Sequence, residues 1–211
     1  MGRRPGVDGR ELLLAAALKL FSEQGIDAVS IRAINREAGL GPASVHYNFG
    51  TKEALLDAVV HVYGEAVMET TRTRAQAIMA SEGPTSARDL VTMLAVPYLD
   101  VMAAHSHDGH AWVRVIGSVL QSDPGRGLDR RSARLVWAAA SRVYPDAAPE
   151  TIKRAMRMCG TLLVTQLAAA RRTPRKPAAL DLELLIDFLS AGLDGALRLP
   201  TPRTTRRPKA S

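Results

Sequence analysis

The chain has 211 residues, of which 46% are hydrophobic and only 4% aromatic, with one cysteine and a net charge of +7. This length allows one large or two small domains, and the lone Cys159 excludes an intramolecular disulfide framework and suits a reducing compartment. Because the N-terminus has no apolar signal core and no apolar run is long enough to cross a membrane, we expect a cytoplasmic protein with no membrane partner. Abundant Leu and Ala, with few β-branched runs, favour an all-α fold.

The positive charge is concentrated at the C-terminal end. Residues 198–211 contain five Lys or Arg and no Asp or Glu, whereas residues 1–56 contain seven basic against six acidic residues and residues 57–197 contain sixteen against fifteen. The segment 199–211 is rich in Pro, Thr and Arg, and we expect it to form a basic, disordered tail. A polyanionic partner must therefore be inferred from motifs, because the net charge supports it only weakly.

The first two predicted helices precede Gly39. Residues 9–24 form an amphipathic helix that Gly25 ends, and its apolar face carries Leu13, Ala16, Ala17, Leu20 and Phe21. Residues 30–38 form a short second helix, for which Ser30 is a good N-cap and Gly39 supplies a left-handed end. The apolar stripe of this second helix consists of Ile31, Ile34 and Ala38.

A third predicted helix begins at Pro42, which a first helical position tolerates because its missing N–H would have no partner there. The helix turns Val45 and Phe49 inward and leaves five side chains facing outward: Pro42, Ala43, Ser44, His46 and Tyr47. Two short helices joined by a three- or four-residue turn that contains glycine are typical of a helix-turn-helix, whose second helix enters the DNA major groove.

Six further helices are predicted, over residues 51 to about 80, 86–104, 110–121, about 129–143, 150–171 and 180–198. Gly83 and Pro84 separate the first two of these, and Pro97 predicts either a kink or a boundary in the second. No glycine-rich phosphate loop, HExxH or Cys-x-x-Cys motif occurs, so the sequence indicates neither an enzyme nor a cofactor.

The stretch from Leu18 to Leu56 resembles the N-terminal domain of the tetracycline-repressor (TetR) family of transcriptional regulators. The matching elements are LKLFSEQGIDAVSI, AGLGPASVHYNF and GTKEALL, in which aromatic residues close the recognition helix and a Lys-Glu-Ala-Leu helix start follows at once. The resemblance implies a three-helix helix-turn-helix domain over residues 1–56 and a helical effector-binding and dimerisation domain over residues 57–198. It further implies a ligand-released repressor that binds a palindromic double-stranded DNA operator as a homodimer.

The domain is expected to contact DNA through Arg32, Gly41, Pro42, Ala43, Ser44, His46, Tyr47, Asn48 and Lys52. Arg32 can reach a guanine edge or be a solvated surface arginine. The small residues that open the recognition helix allow close approach to a thymine methyl group, or serve only to start the helix. His46 can donate a hydrogen bond to a base or a phosphate, or it can be a surface histidine that does not contact DNA. The hydroxyl of Tyr47, like that of Ser44, suits a phosphate oxygen, although Tyr47 can instead be a packed aromatic.

Lys52 is not explained by helix stability, because the macrodipole opposes a cation in the first turn of a helix. A lysine beside free backbone N–H groups is, however, a ready phosphate site. Arg3 and Arg4 precede the first helix and form either a flexible arm that reaches the DNA or a solubilising terminus. Asn35 stands where such motifs usually have alanine, and it fits the helix crossing if its amide bonds the backbone of the turn.

The last two predicted helices, residues 150–171 and 180–198, are the best candidates for a dimer interface. Two recognition helices placed one DNA turn apart, roughly 34–36 Å, can read a palindrome. The apolar faces of the two helices could form a four-helix bundle with a second chain, or pack only within the monomer.

An effector pocket is expected among the helices of residues 86–171, with an unknown small molecule as its ligand. Its predicted lining is Tyr98, Met102, Trp112, Ile116 and Trp137, with Met158 as a further possibility. Met and aromatic residues at helical spacing can equally belong to the plain core.

The group of His105, His107, His110 and Asp108 has the chemistry of a zinc or nickel site, although we expect solvated histidines at a helix break beside Gly109 and no bound metal. Two alternatives to a ligand-released repressor remain open. One is an activator or a regulator without a ligand, and the other is a metal- or small-molecule-binding helical protein without operator binding.

Overall fold

The computed structural model describes residues 8–123, 126, 128–170 and 181–198, and the regular elements in these ranges are all helical. In chain order they are α1 (Gly9–Gln24), α2 (Ile31–Glu37), α3 (Ser44–Phe49), α4 (Lys52–Ala80), α5 (Ala87–Ala104), α6 (Ser106–Ser122), α7 (Arg130–Val143), α8 (Pro149–Ala169) and α9 (Leu182–Arg198). The all-α fold is therefore confirmed. Across the same ranges, no helix combines the length and apolar character that a membrane span requires. The predicted basic tail, residues 199–211, and the arm of Arg3 and Arg4 lie outside the described residues.

The helix starts follow from local capping chemistry. The side-chain oxygens of Ser30 and Thr51 accept hydrogen bonds from backbone N–H groups in the first turns of α2 and α4. At the start of α5, Ser86 and Asp89 bond each other's backbone N–H groups in a reciprocal capping box. These caps satisfy backbone donors that a helix leaves free, so they fix where each helix begins.

The junction of α5 and α6 differs from the prediction. α5 continues through Pro97, so the alternative of a boundary at this proline is wrong. His105 ends α5 and directly precedes α6, which starts at Ser106, four residues before the predicted start. The two helices touch closely here, since a Cβ atom on Gly109 would lie 2.3 Å from the Val101 carbonyl oxygen. This contact between turns of two different helices has no signature in the local sequence.

α6 packs against α1, α4, α5 and α8 and so lies in the interior of the molecule. Its Trp112 is 1% exposed and donates its indole N–H to the backbone carbonyls of Val59 and Val60 in α4, at 3.0 and 3.1 Å. Tyr63 of α4 packs edge-on against the same indole, with 5.8 Å between the ring centroids. The first half of α4 is therefore held against the C-terminal helices, while its first residue follows closely after α3.

A buried arginine joins α4 to α7. The Arg72 guanidinium hydrogen-bonds Glu65 at 3.1 Å, Glu69 at 2.6 Å, Asp129 at 3.3 Å and Ser132 at 3.2 Å. Burial of a cation is tolerated only when its donors are paired in this way. Together with the tryptophan contact, this network attaches α4 to both α6 and α7.

Candidate nucleic-acid interface

The turn between α2 and α3 is set by its glycines and proline. Gly39 adopts a φ of +67°, as expected for the left-handed residue that ends α2. The backbone N–H of Ser44 donates to the Gly41 carbonyl at 3.0 Å and closes a turn in which Pro42 is the second residue. α3 therefore begins at Ser44, two residues after the predicted start, because the fixed φ of the proline serves the turn instead of the first helical position.

Asn35 ties this turn to α2. The residue is 2% exposed, its Nδ2 donates to the Pro42 carbonyl at 2.6 Å, and its Oδ1 accepts from the Val45 backbone N–H at 3.1 Å. Both ends of the buried amide are thus paired, and a first-turn N–H of α3 that helix geometry leaves free is satisfied. The expectation that an asparagine fits this crossing by bonding the turn backbone is confirmed.

α3 has one buried and one exposed face. Val45 is fully buried and Phe49 packs, half-buried, against the same core, as predicted. Tyr47 is 90% exposed, so the alternative of a packed aromatic is wrong. Of the other predicted contact residues, Arg32, Gly41, Pro42, Ala43 and His46 are exposed, whereas Ser44, Asn48 and Lys52 are half-buried. All nine lie on α2, α3, the turn between them or the first residue of α4.

Two of these residues also stabilise α3 itself. His46 donates from Nδ1 to the Gly50 carbonyl at 2.9 Å, and Asn48 donates from Nδ2 to the Ser44 carbonyl at 2.8 Å. Since a carbonyl oxygen only accepts, the Nδ1 atom of His46 carries the proton in this bond, and Nε2 is the ring atom left for an external partner.

α4 follows α3 with its N-terminus capped by Thr51. The Lys52 ammonium lies 5.9 Å from the centroid of the Phe21 ring in α1, within the range of a cation–π contact. Hydrogen bonds from its own backbone N–H and from Thr51 hold the pKa of Glu53 below its usual value. The nearby Lys52 charge lowers this pKa further.

Arg10 is a contact that sequence reasoning missed. Its guanidinium carbon lies 4.9 Å from the centroid of the Phe49 ring and so packs α1 on the end of α3. No local signal marks it, because its partner is distant in the sequence.

A second candidate site is a cavity of about 600 Å³ that is open on one side and lined by residues of α4, α5, α6, α7 and α8. Tyr98 and Trp137 line it, as the sequence suggested. Burial raises the pKa of Tyr98 to about 12, so its phenol stays protonated. Three predicted lining residues lie elsewhere: Met102, Trp112 and Ile116. Trp112 is hydrogen-bonded to α4. Ile116 belongs to the hydrophobic core, and Met102 packs against that core.

The cavity is also lined by three arginines that the sequence did not single out, Arg130 and Arg134 of α7 and Arg157 of α8. Their proximity arises only when α7 packs against α8, so neither helix reveals it alone.

The three histidines near the α5–α6 junction have different partners. His105 stacks on Tyr63 with 4.3 Å between ring centroids, and His110 donates from Nδ1 to the Ser106 carbonyl at 2.7 Å. His107 lies 3.4 Å from the Asp108 carboxylate. The expected helix break falls at His105, between α5 and α6, and not beside Gly109, so His107 and His110 lie inside α6.

Solved structures share this fold over nearly the whole chain. A TetR-family transcriptional regulator from Streptomyces coelicolor has a TM-score of 0.54 and 20% identity, with 90% of this chain and 100% of that chain covered. A TetR-like transcriptional regulator from Rhodococcus sp. RHA1 has a TM-score of 0.53 and 20% identity, with coverages of 92% and 98%. AmtR of Mycobacterium smegmatis has a TM-score of 0.50 and 23% identity, with coverages of 96% and 100%. These likenesses concern the fold, including the C-terminal helices.

The similarity to curated proteins covers about a quarter of the chain. The chain is 45% identical over 51 residues to the HTH-type transcriptional regulator BetI of Rhizobium meliloti (strain 1021), and 35% identical over 51 residues to the HTH-type transcriptional regulator UidR of Escherichia coli (strain K12). Each match covers 24% of this chain and only about a quarter of the relative. The family model for bacterial regulatory proteins of the tetR family matches residues 13–59, which run from α1 into α4. Residues 13–59 therefore form a domain similar to the N-terminal domain of the tetR family of bacterial regulatory proteins.

Proposed function

We propose that the chain is a DNA-binding transcriptional regulator, a repressor that acts as a homodimer on a palindromic operator and is released by a small molecule. Residues 1–56 would form the DNA-binding domain, and residues 57–198 the effector-binding and dimerisation domain. The observation that carries the proposal is the exposed face of α3, where Tyr47 is 90% exposed while Val45 on the opposite face is buried. A short helix held rigidly on its buried side and bare on the other suits the major groove.

The predicted contacts divide by chemistry into base readout and phosphate positioning. Arg32 and the Nε2 atom of His46 are exposed groups that can meet base edges, while Pro42 and Ala43 permit close approach. Lys52 and the hydroxyl of Tyr47 suit phosphate oxygens, which fix the register of the helix on the duplex but carry no sequence information.

Loss of the Lys52 ammonium tests the phosphate assignment. In Lys52→Ala, affinity for the DNA upstream of the protein's own gene should fall roughly tenfold or more, since hydrogen bonds to charged groups are among the stronger ones. The slope of log affinity against log salt should become shallower by about one per protomer. Fluorescence anisotropy over a series of salt concentrations measures both quantities.

Two further variants sharpen this test. Tyr47→Phe should weaken binding across sequences, because it removes only a hydroxyl from an exposed ring. Arg131→Ala removes an equal charge from the exposed surface of α7, away from the recognition helix, and should leave both affinity and salt slope unchanged. Unaltered affinity in Lys52→Ala and Tyr47→Phe would refute the phosphate role of these residues.

Dimerisation is supported by exposed apolar side chains on the last two helices. α8 packs against α9, and the pair carries Met158, Leu162, Leu184 and Phe188 at 46% to 70% exposure. Large apolar groups that share one face of a protein mark interaction surfaces. The same two helices from a second chain would cover them in a four-helix bundle with two-fold symmetry.

Phe188→Asp should convert the dimer to a monomer, because it replaces the most exposed of these apolar side chains with a charge. Light scattering coupled to size exclusion should then give half the wild-type mass, and affinity for a palindromic site should fall with it. Val62→Asp, at an exposed apolar position on α4, is the control and should remain dimeric. A dimeric Phe188→Asp protein would place the interface elsewhere.

Release by a ligand is supported by the way α4 is held. The cavity lies between helices that Trp112 and Arg72 attach to α4, and only two residues, Gly50 and Thr51, separate α3 from α4. A ligand that separates α7 from α4 would therefore alter the position of α4 and, in a dimer, the spacing of the two recognition helices. By linkage, the DNA must weaken ligand binding by the same factor.

A further inference from the structure

The cavity joins an apolar interior to a cationic edge. Its walls include Leu94 of α5, Leu120 of α6 and Val136 of α7, all buried. Its volume of about 600 Å³ is typical of sites that enclose a small organic ligand, which fall at roughly 300–1,000 Å³. The guanidinium-bearing residues of the lining are all exposed: Arg130, Arg134 and Arg157. Apolar walls with charge at one edge match an amphipathic ligand rather than a uniformly polar one.

Within the part of the chain that the structure describes, the three arginines at this edge form no ion pair. The lining contains no Asp or Glu, and none of its three arginines lies within salt-bridge distance of a carboxylate among the described residues. The Arg157 charge helps to lower the pKa of Glu150, but the Glu150 carboxylate is hydrogen-bonded to Lys153 at 2.7 Å and not to Arg157. Other arginines do have carboxylate partners: Arg72, Arg88, Arg126 and Arg198. The cavity arginines therefore keep their donors for another partner.

Helix stability does not account for these arginines either. Arg130 opens α7, whose first turn contains no acid, and the N-cap carboxylate of Asp129 is already bonded by Arg72 and Ser132. A cation at this end is opposed by the macrodipole. Arg134 follows one turn later, and like charges at i and i+4 repel each other. An anion placed between α7 and α8 would relieve both unfavourable terms.

We infer that this cavity binds an amphipathic organic anion, with its carboxylate at Arg134 and Arg157 and its apolar body along the walls formed by α5, α6 and α7. The inference rests on the proposed function only in taking this ligand as the effector. Arg130 adds charge at the same edge, and guanidinium groups suit a carboxylate because they can bond it through two parallel N–H donors.

Three probes with one ten-carbon chain and different head groups test the charge preference: decanoate, 1-decanol and decyltrimethylammonium. Isothermal titration calorimetry on the full chain, without DNA, should give decanoate an affinity at least about tenfold above that of each other probe. Equal or tighter binding of decyltrimethylammonium would overturn the inference, as would the absence of decanoate binding.

Variants locate the preference on the cavity edge. The double variant Arg134→Gln/Arg157→Gln should lower decanoate affinity about tenfold and leave decanol affinity unchanged. Arg131→Gln removes a charge from α7 outside the lining and should change neither. The substituted arginines are exposed, so melting temperatures near wild type should show that all the variants fold. A double variant that keeps the full preference for decanoate would overturn the assignment.

These titrations separate the two proposals. A chain that prefers decanoate but fails to bind operator DNA would contradict the regulator proposal alone. A chain that binds operator DNA but shows no preference among the three probes would contradict the anion inference alone.

Discussion

Replacing Asn35 with alanine is expected to destabilise the N-terminal domain by about 2–4 kcal/mol and to remove high-affinity DNA binding. The change breaks the bonds to the Pro42 carbonyl and the Val45 backbone N–H, and it leaves that buried N–H without a partner. The first turn of α3 would then no longer be held at its angle to α2. Urea denaturation measures the loss of stability, and amide hydrogen exchange should show the faster opening at Val45.

Two further substitutions serve as comparisons for Asn35→Ala. Asn48→Ala removes an amide that bonds only within α3, at a half-buried position, and should cost far less. Asn35→Asp keeps an acceptor for Val45 but buries a carboxylate with one oxygen facing the Pro42 carbonyl, so it should be at least as destabilising as Asn35→Ala. If Asn35→Ala were as stable as Asn48→Ala, the amide would not hold the helix crossing.

Gly109→Ala should lower the stability of the whole chain by about 3 kcal/mol, at the upper end of the usual cost of overpacking. The added Cβ would lie 2.3 Å from the Val101 carbonyl oxygen and 3.1 Å from the Met102 Cα atom. Both neighbours are backbone, so no change of rotamer relieves the clash and α5 must separate from α6. The melting temperature should fall by roughly 6–12 °C.

Gly64→Ala provides the matched control for this glycine. Its Cβ would lie 4.0 Å from the Trp112 ring, an ordinary contact, in the interior of α4. Alanine there should leave the melting temperature unchanged or raise it, because glycine costs about 0.5–1 kcal/mol in a helix. Equal melting temperatures for Gly109→Ala and wild type would show that α5 can move away from α6 at no cost in stability.

Local chemistry made much of the N-terminal domain predictable. Ser30, Gly39 and Thr51 each act within one helical turn of their own position, so their roles can be read from neighbouring residues. The start of α3 was predicted too early because a proline suits both a turn and a first helical position. Only the hydrogen bond between Ser44 and Gly41 decides between the two.

The features that the sequence did not predict depend on contacts between distant helices. The early start of α6 depends on a missing side chain at Gly109 opposite the backbone of α5. The arginine edge of the cavity depends on α7 lying beside α8. Trp112 lies outside the cavity because it is hydrogen-bonded to α4, a helix distant from it in the sequence. Helical periodicity identifies which residues face inward, but not which other helix they meet.

The positions of the two tryptophans give the molecule separate intrinsic optical reporters. Trp112 is buried and hydrogen-bonded to α4, so its emission senses the seam between α4 and α6. Trp137 lines the cavity with the Lys153 ammonium 5.2 Å from its ring, so its emission senses the entrance between α7 and α8. Chains that keep one indole at a time would therefore distinguish ligand arrival from the movement of α4, without any attached dye.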